Sequence, residues 1–285
     1  MSAADQAVQT IAVVGGGAMG RGIAYCAMAA GYGVRVTDTN AKSAEAARDW
    51  AIKRAAQDQI TSANIVVADS IEKASAGADL VIEAVVENLA VKIAVMRAAA
   101  GAAGSKTILA TNTSGMSVTD IGTGAGVPER VVGMHFFNPV HRMKLCEIIV
   151  GKETGEQAIA IATAVASRMG KTPVRANDTA GFLASRLNCA LGNEALKMLE
   201  QEVGSAEAID TAAKLGLNHP MGPLELLDLV GLDVRLAALN TLSSAYGERF
   251  APTKIHRQLV DEGRLGVKSG RGVYRYGPDG KKIAD

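Results

Sequence analysis

Over roughly the first 175 residues, short and nearly continuous apolar runs alternate with Ala-rich stretches whose apolar positions recur at helical spacing. The runs are TIAVVG (10–15), GVRVTD (33–38), NIVVAD (64–69), DLVIEAV (79–85), KTILATN (106–112), RVVGMHF (130–136), KLCEIIV (144–150) and TPVRA (172–176). Val- and Ile-rich runs without polar alternation mark parallel strands covered on both faces. Thr154-x-x-Gln157 has the spacing of a capping box and predicts a helix start there. Alternating strands and helices predict an α/β domain with a doubly wound sheet.

After NDTAG (177–181) the pattern changes. FLASRLNCALGNEALKMLEQE keeps the helical spacing and carries no strand signal. The segment from Ser205 to Gly216 has a Ser cap, Glu207 early, Lys214 late and a terminal glycine, the signals of a complete helix. MGPLELLDLVGLDVRLAALNTL and the stretch around 252–262 are helical too. The reading is therefore a Rossmann-type domain over 1–177, followed by an all-α domain over 178–285.

The chain is long enough for two such cores: 285 residues, 48% hydrophobic and 21% charged. A net charge of +1 gives no electrostatic case for nucleic acid or an anionic membrane. Cys26, Cys146 and Cys189 are scattered without CxxC spacing, so neither a disulfide framework nor a bound metal is expected. The opening MSAADQAVQT lacks a signal or transit pattern, and no apolar run approaches the ~20 residues of a membrane span, which makes the cytoplasm the expected location. The Ala/Leu-rich second domain carries more apolar surface than it readily buries alone, so a homodimer through its helices is expected.

VVGGGAMGRGIA (13–24) places Gly15-x-Gly17-Ala18-Met19-Gly20 between a strand and a helix. Gly15 would make the tight turn, Gly17 would admit a pyrophosphate to the backbone, and Gly20 would let helix and strand pack closely. The phosphates would rest on the positive helix end. Asp38 ends the second strand 23 residues after Gly15, where a carboxylate accepts hydrogen bonds from both ribose hydroxyls. Thr39 and Asn40 follow, with no arginine to receive a 2′-phosphate, so the expected cofactor is NAD rather than NADP.

HFFNPVHRMKLCE (135–147) concentrates two of the four histidines. Oxidising a secondary alcohol requires hydride departure and loss of the hydroxyl proton, and a neutral imidazole backed by a carboxylate suits the second task. His135 ends one apolar run and Glu147 lies in the next, so an antiparallel return through Pro139 can bring them together. On the residues alone two readings stand: a base with its orienting acid, or a core histidine bonded to backbone with Glu147 on a strand surface. His141 belongs to the turn, solvated or locally bonded, and nothing singles out His256.

The chain resembles the L-3-hydroxyacyl-CoA dehydrogenases, especially the short-chain 3-hydroxybutyryl-CoA type. The resemblance rests on VVGGGAMGRGIA, VIEAVVENLAVK (81–92), TNTSGMSVTDI (111–121), GMHFFNPVHRMKLCEII (133–149), DTAGFLASRL (178–187), HPMGPLELLDLVGLD (219–233) and GVKSGRGVYRY (266–276), in family order from end to end. It implies NAD-dependent oxidation of a short (S)-3-hydroxyacyl-CoA, with His135 as the base or acid and Glu147 as its orienter. It also implies that Ser114 bonds substrate oxygen and cofactor, and that Asn138 contacts the ligands beside His135. Glu87 and Lys92 would lie near the nicotinamide, and Lys268 would reach toward the cofactor. Dimerisation is common in the fold class.

Two departures stand out. Ser185 occupies the place of a family asparagine whose amide holds the thioester region, and Asn188, three residues on along the same helical face, can supply that amide. The connection around 39–63 looks shorter than the family's helical hairpin, whose CoA contacts would fall to Lys42, Lys53 and Arg54. Three rivals remain at this stage. One is a β-hydroxyacid dehydrogenase using Lys197 as base, one a relative acting on a small substrate without CoA, and one a non-catalytic NAD-binding module.

Overall fold

The apolar runs fold into the strands the pattern predicts. A computed structural model describes residues 8–61 and 64–283, so most of the polar amino-terminal opening lies outside the described residues. Among these the strands are β1 (Thr10–Val14), β2 (Gly33–Thr37), β3 (Ile65–Val67), β4 (Leu80–Glu83), β5 (Ile108–Thr111), β6 (Val131–Phe136), β7 (Leu145–Val150) and β8 (Thr172–Asn177). They form one sheet in the order β3-β2-β1-β4-β5-β6-β7-β8. The chain winds outward from β1 to β3, then crosses back to set β4 on the other side of β1. That reversal opens a crevice at the carboxyl ends of β1 and β4, where open α/β sheets bind ligands. Every neighbouring pair is parallel except β6 with β7. β4, β5 and β6 are buried at every position, as strands covered on both faces must be.

The helices of this part are α1 (Ala18–Ala29), α2 (Ala41–Gln57), α3 (Ile71–Ser75), α4 (Leu89–Ala102), α5 (Val118–Ala125) and α6 (Glu156–Arg168). Side chains of Asn40, Ser70, Asn88 and Ser117 cap α2, α3, α4 and α5 by accepting first-turn N–H groups. The capping box expected at Thr154 does not form. The Thr154 hydroxyl instead donates to the Val131 carbonyl at 2.7 Å and accepts from Gly151 N at 2.9 Å, and Gly155 takes the cap position of α6. A tie to β6, 23 residues earlier, wins over the local cap. Among the described residues between β2 and β3, α2, 17 residues long, is the single helix, where a hairpin would need two.

The chain separates after Thr179 into two compact units, 1–179 and 180–285. The second is helical: α7 (Ala184–Glu200), α8 (Ala206–Gly216), α9 (Pro223–Val230), α10 (Leu232–Tyr246) and α11 (Lys254–Asp261). Ser205 caps α8 as expected, accepting from Ala208 N at 3.2 Å. Leu196, Leu224, Leu227, Leu232, Leu259 and Tyr274 make one core of this unit. Two wholly buried carboxylates tie the closing tail to it. Asp210 accepts from Leu224 N at 2.8 Å and from the Tyr274 hydroxyl at 2.7 Å. Asp228 accepts from Val273 N and Tyr274 N at 2.9 Å each. No helix among the described residues is long and apolar enough to cross a membrane.

His256, which nothing in the sequence singles out, is fully buried on α11 and donates from Nε2 to the Leu232 carbonyl at 2.9 Å. Burial holds its imidazole below the usual histidine range. The unfolded chain therefore binds the proton first. Stability is present above the unfolded value of about 6.5 and is lost as the pH falls toward the folded value. The urea midpoint should fall between about pH 7 and pH 5, and His256→Gln should shrink that fall; an equal fall in the variant would contradict it.

Candidate active site

The glycine loop is built where β1, β2 and β4 end. Gly15 has φ +110° and donates its N–H to the Thr37 carbonyl at 2.8 Å. A Cβ there would lie 2.6 Å from the Ala84 carbonyl oxygen, so a side chain is excluded on both conformational and steric grounds. A Cβ on Gly20 would meet the Gly15 carbonyl oxygen at 1.8 Å, which ties the first turn of α1 onto the loop. Gly17 differs: a Cβ there would meet nothing within 4 Å. It caps α1 without a side chain, and no acid stands in the first turn. Open space before the Ala18, Met19 and Gly20 amides, at the positive end of a helix, fits a pyrophosphate. Asp38, just beyond β2, accepts from Gly16 N at 2.7 Å and Asn40 N at 2.8 Å. Those bonds fix the carboxylate at the loop and leave lone pairs for ribose hydroxyls.

Beside the loop lies a chain of charges. Glu83, at the end of β4, accepts from Lys92 Nζ at 2.8 Å, Val85 N at 2.7 Å and the Thr111 hydroxyl at 2.8 Å. Lys92 also meets Glu87 at 3.1 Å. Glu87 in turn accepts from Ser114 N at 2.9 Å and the Thr113 hydroxyl at 2.5 Å. Burial works to raise the Glu87 carboxyl, but the Thr113 hydroxyl, the Lys92 ammonium and the Ser114 amide outweigh it and hold the group below the usual carboxylate range. Ser114, in the turn after β5, is thereby fixed near the carboxyl edge of the sheet.

The two residues at the ends of HFFNPVHRMKLCE meet. In the antiparallel register of β6 and β7, His135 stands directly opposite Glu147, and Nδ1 lies 2.6 Å from Oε2. The His135 side chain is 7% exposed and that of Glu147 0%. Residues opposite one another on antiparallel strands share a face at close range, so the strand pairing itself makes the contact. Phe136 N donates to Asn112 Oδ1 at 2.9 Å, tying the end of β6 to the TNTSG turn. The Phe137 ring lies 4.4 Å from the imidazole.

Asn138 follows in the exposed connection between the two strands. That connection is anchored from below by Lys171, whose buried ammonium donates to the Val140 and Met143 carbonyls. His141 stays part-exposed in its turn. Its ring packs edge-on against Trp50 at 5.7 Å and Tyr25 at 6.3 Å, because α1 and α2 bring those rings beneath it. Of the cations expected to reach CoA, Arg54 is held by Asp58 at 2.8 and 3.0 Å, while Lys42 and Lys53 stay exposed.

In the second unit, Ser185 and Asn188 are both part-exposed and lie within one turn of α7. Lys268 is gripped by both oxygens of Asp233, at 2.6 and 2.7 Å. Its ammonium is thus paired within its own unit. Lys197 lies 3.8 Å from Glu194.

Residues 10–179 match the family model described as "3-hydroxyacyl-CoA dehydrogenase, NAD binding domain", and residues 181–276 match the one described as its C-terminal domain. The chain belongs to the 3-hydroxyacyl-CoA dehydrogenase family. A probable 3-hydroxybutyryl-CoA dehydrogenase of Bacillus subtilis is 41% identical over 281 residues, spanning 94% of this chain and 98% of the relative. One of Deinococcus radiodurans is 37% identical over 274 residues, spanning 93% and 99%. The solved (S)-3-hydroxybutyryl-CoA dehydrogenase of Ralstonia eutropha superposes with a TM-score of 0.90 at 34% identity, over 95% of this chain and 99% of that one. This dehydrogenase is an oxidoreductase with NAD as its cofactor, and the uncapped glycine loop and Asp38 suit that molecule.

Sequence reasoning about the dehydrogenase missed Glu83, Thr111, Thr113 and Lys171. The available signal for Glu83 was a carboxylate inside the apolar run DLVIEAV, which a buried strand tolerates only when the charge is paired. Thr111 and Thr113 carry no such signal, because a threonine suits a strand end without any partner.

Proposed function

We propose that this dehydrogenase oxidises the 3-hydroxyl of a short-chain (S)-3-hydroxyacyl-CoA to the 3-oxoacyl-CoA, reversibly, with His135 taking the hydroxyl proton. The observation that carries the reading is the 2.6 Å contact between His135 Nδ1 and Glu147 Oε2. An Nδ1–H donated to a buried carboxylate puts the lone pair of the neutral ring on Nε2, the nitrogen that can accept a proton. Once Nε2 is protonated, Glu147 stabilises the imidazolium. NAD, when bound, supplies the acceptor for the hydride that leaves C3. Ser114 and Asn138 position the substrate oxygen, and Ser185 and Asn188 hold the thioester region. Gly15, Gly17, Gly20 and Asp38 hold the cofactor's pyrophosphate and ribose, while Glu87, Lys92 and Lys268 serve its nicotinamide side.

In this reading the first unit holds NAD, and the second serves substrate binding and homodimer contact. Leu215, Leu187 and Leu217, at 82%, 72% and 62% exposure, support an association surface on the second unit. Three buried free thiols support a reducing, cytoplasmic setting.

The test follows NADH absorbance with acetoacetyl-CoA and with free acetoacetate. Binding energy from a remote CoA moiety should favour the thioester by about 10²-fold in kcat/KM. Equal efficiencies, or a preference for the acid, would assign the chain to substrates without CoA.

A further inference from the structure

The proposed chemistry makes no use of Glu83. Its side chain is 0% exposed and that of its partner Lys92 is 1% exposed. Buried pairs of this kind are often no more stabilising than apolar residues of similar volume. Stability alone is thus a weak reason for a glutamate and a lysine in the middle of a Rossmann-type core.

The geometry supplies a better one. One oxygen of Glu83 takes Lys92 Nζ at 2.8 Å and Val85 N at 2.7 Å, and the other takes the Thr111 hydroxyl at 2.8 Å. Three donors from three different positions leave the carboxylate one orientation. Lys92, fixed by it, reaches Glu87 Oε2 at 3.1 Å. The second Glu87 oxygen receives Ser114 N at 2.9 Å and lies 3.4 Å from the Ser114 hydroxyl. Glu87 is 41% exposed, and on its own such a side chain would sample several rotamers in water.

We propose that Glu83 is a positioning residue for the reaction: through Lys92 it fixes Glu87, and through Glu87 it fixes Ser114. This rests on the reading that Ser114 meets the reacting oxygen. Two carboxylates share one ammonium, so Glu87 stays an anionic acceptor at the mouth of the site while Glu83 neutralises the lysine below.

The experiment uses the full-length protein, acetoacetyl-CoA and NADH. Glu83→Gln alone leaves the buried Lys92 ammonium with Glu87 as its one carboxylate partner and should lower the melting temperature. Glu83→Gln with Lys92→Met removes both charges and should restore it. In the double variant kcat should nevertheless stay down by about tenfold or more, with KM for the thioester changed by less than about threefold. Recovery of both melting temperature and kcat would reduce the pair to packing and overturn the proposal.

Thr111→Val conserves shape and both charges, and it loosens only one of the bonds that orient Glu83. It should lower kcat by about threefold, and an unchanged kcat would count against the proposal whether or not the double variant accumulates. His135→Gln is measured alongside. If that variant keeps its turnover, the reading of the whole site fails; if it loses turnover while these variants do not, only the role of Glu83 fails.

Discussion

A His135→Gln variant is expected to fold, to bind NADH as the parent does, and to turn over ~10²–10⁴-fold more slowly. Glutamine keeps a polar group of similar size in the pocket formed by Phe137 and Glu147, so packing changes little. What it cannot do is accept a proton at neutral pH. The loss should therefore appear in kcat, with the KM for acyl-CoA close to the parent value, because His135 is asked to act in the transition state rather than to bind. NADH fluorescence reports cofactor binding and steady-state absorbance reports turnover. A variant within about threefold of the parent kcat would remove His135 from the chemistry.

The second large effect belongs to Glu147→Gln, expected to lower kcat on the order of 10²-fold or more. The glutamate is wholly buried and lies 2.6 Å from the imidazole. An amide in its place can present its oxygen to Nδ1–H, which keeps the ring's place, or its nitrogen, which forces the other tautomer. In neither case does it carry the charge that stabilises an imidazolium. Melting should change less than turnover, since the uncharged amide removes a buried anion rather than creating one. A parent-like kcat in this variant would make the carboxylate a structural residue.

The strands were legible because a sheet covered on both faces needs continuous Val/Ile runs, and these are hard to mistake. The contact between His135 and Glu147 was legible only in part: a return through Pro139 can bring the two together, but the residues alone allowed a core histidine equally, and the family resemblance implied the pairing. Contacts between distant parts of the chain were not. Thr154 has the spacing of a capping box, but its hydroxyl goes to Val131, 23 residues earlier. Asp228 reads as one polar position of an amphipathic helix, whereas its partner Tyr274 lies 46 residues further on. His256 reads as another such position, and only the Leu232 carbonyl, 24 residues away, explains its burial.

Glu83 belongs to the same class. Its partners Val85 and Lys92 are near in sequence, but the reason for burying a charge emerges only when Glu87 is seen bonded to Ser114, 27 residues away. Ser114, Asn138, Glu87, Lys92 and Lys268 were named through family resemblance, since no local spacing distinguishes them from ordinary turn and helix residues. The structure adds physical partners for four of them, Ser114, Glu87, Lys92 and Lys268. Glu87 binds Ser114, Lys92 sits between two carboxylates, and Lys268 is held by Asp233.

In the proposed mechanism His135 and Glu147 act as one device, the acid working only through the imidazole. Single-turnover rates of His135→Gln, Glu147→Gln and the double variant put that pairing to the test. The double variant should be as slow as His135→Gln alone, within about twofold, because nothing remains for Glu147 to orient. Losses that multiply would show two independent groups and contradict the pairing on which the mechanism stands.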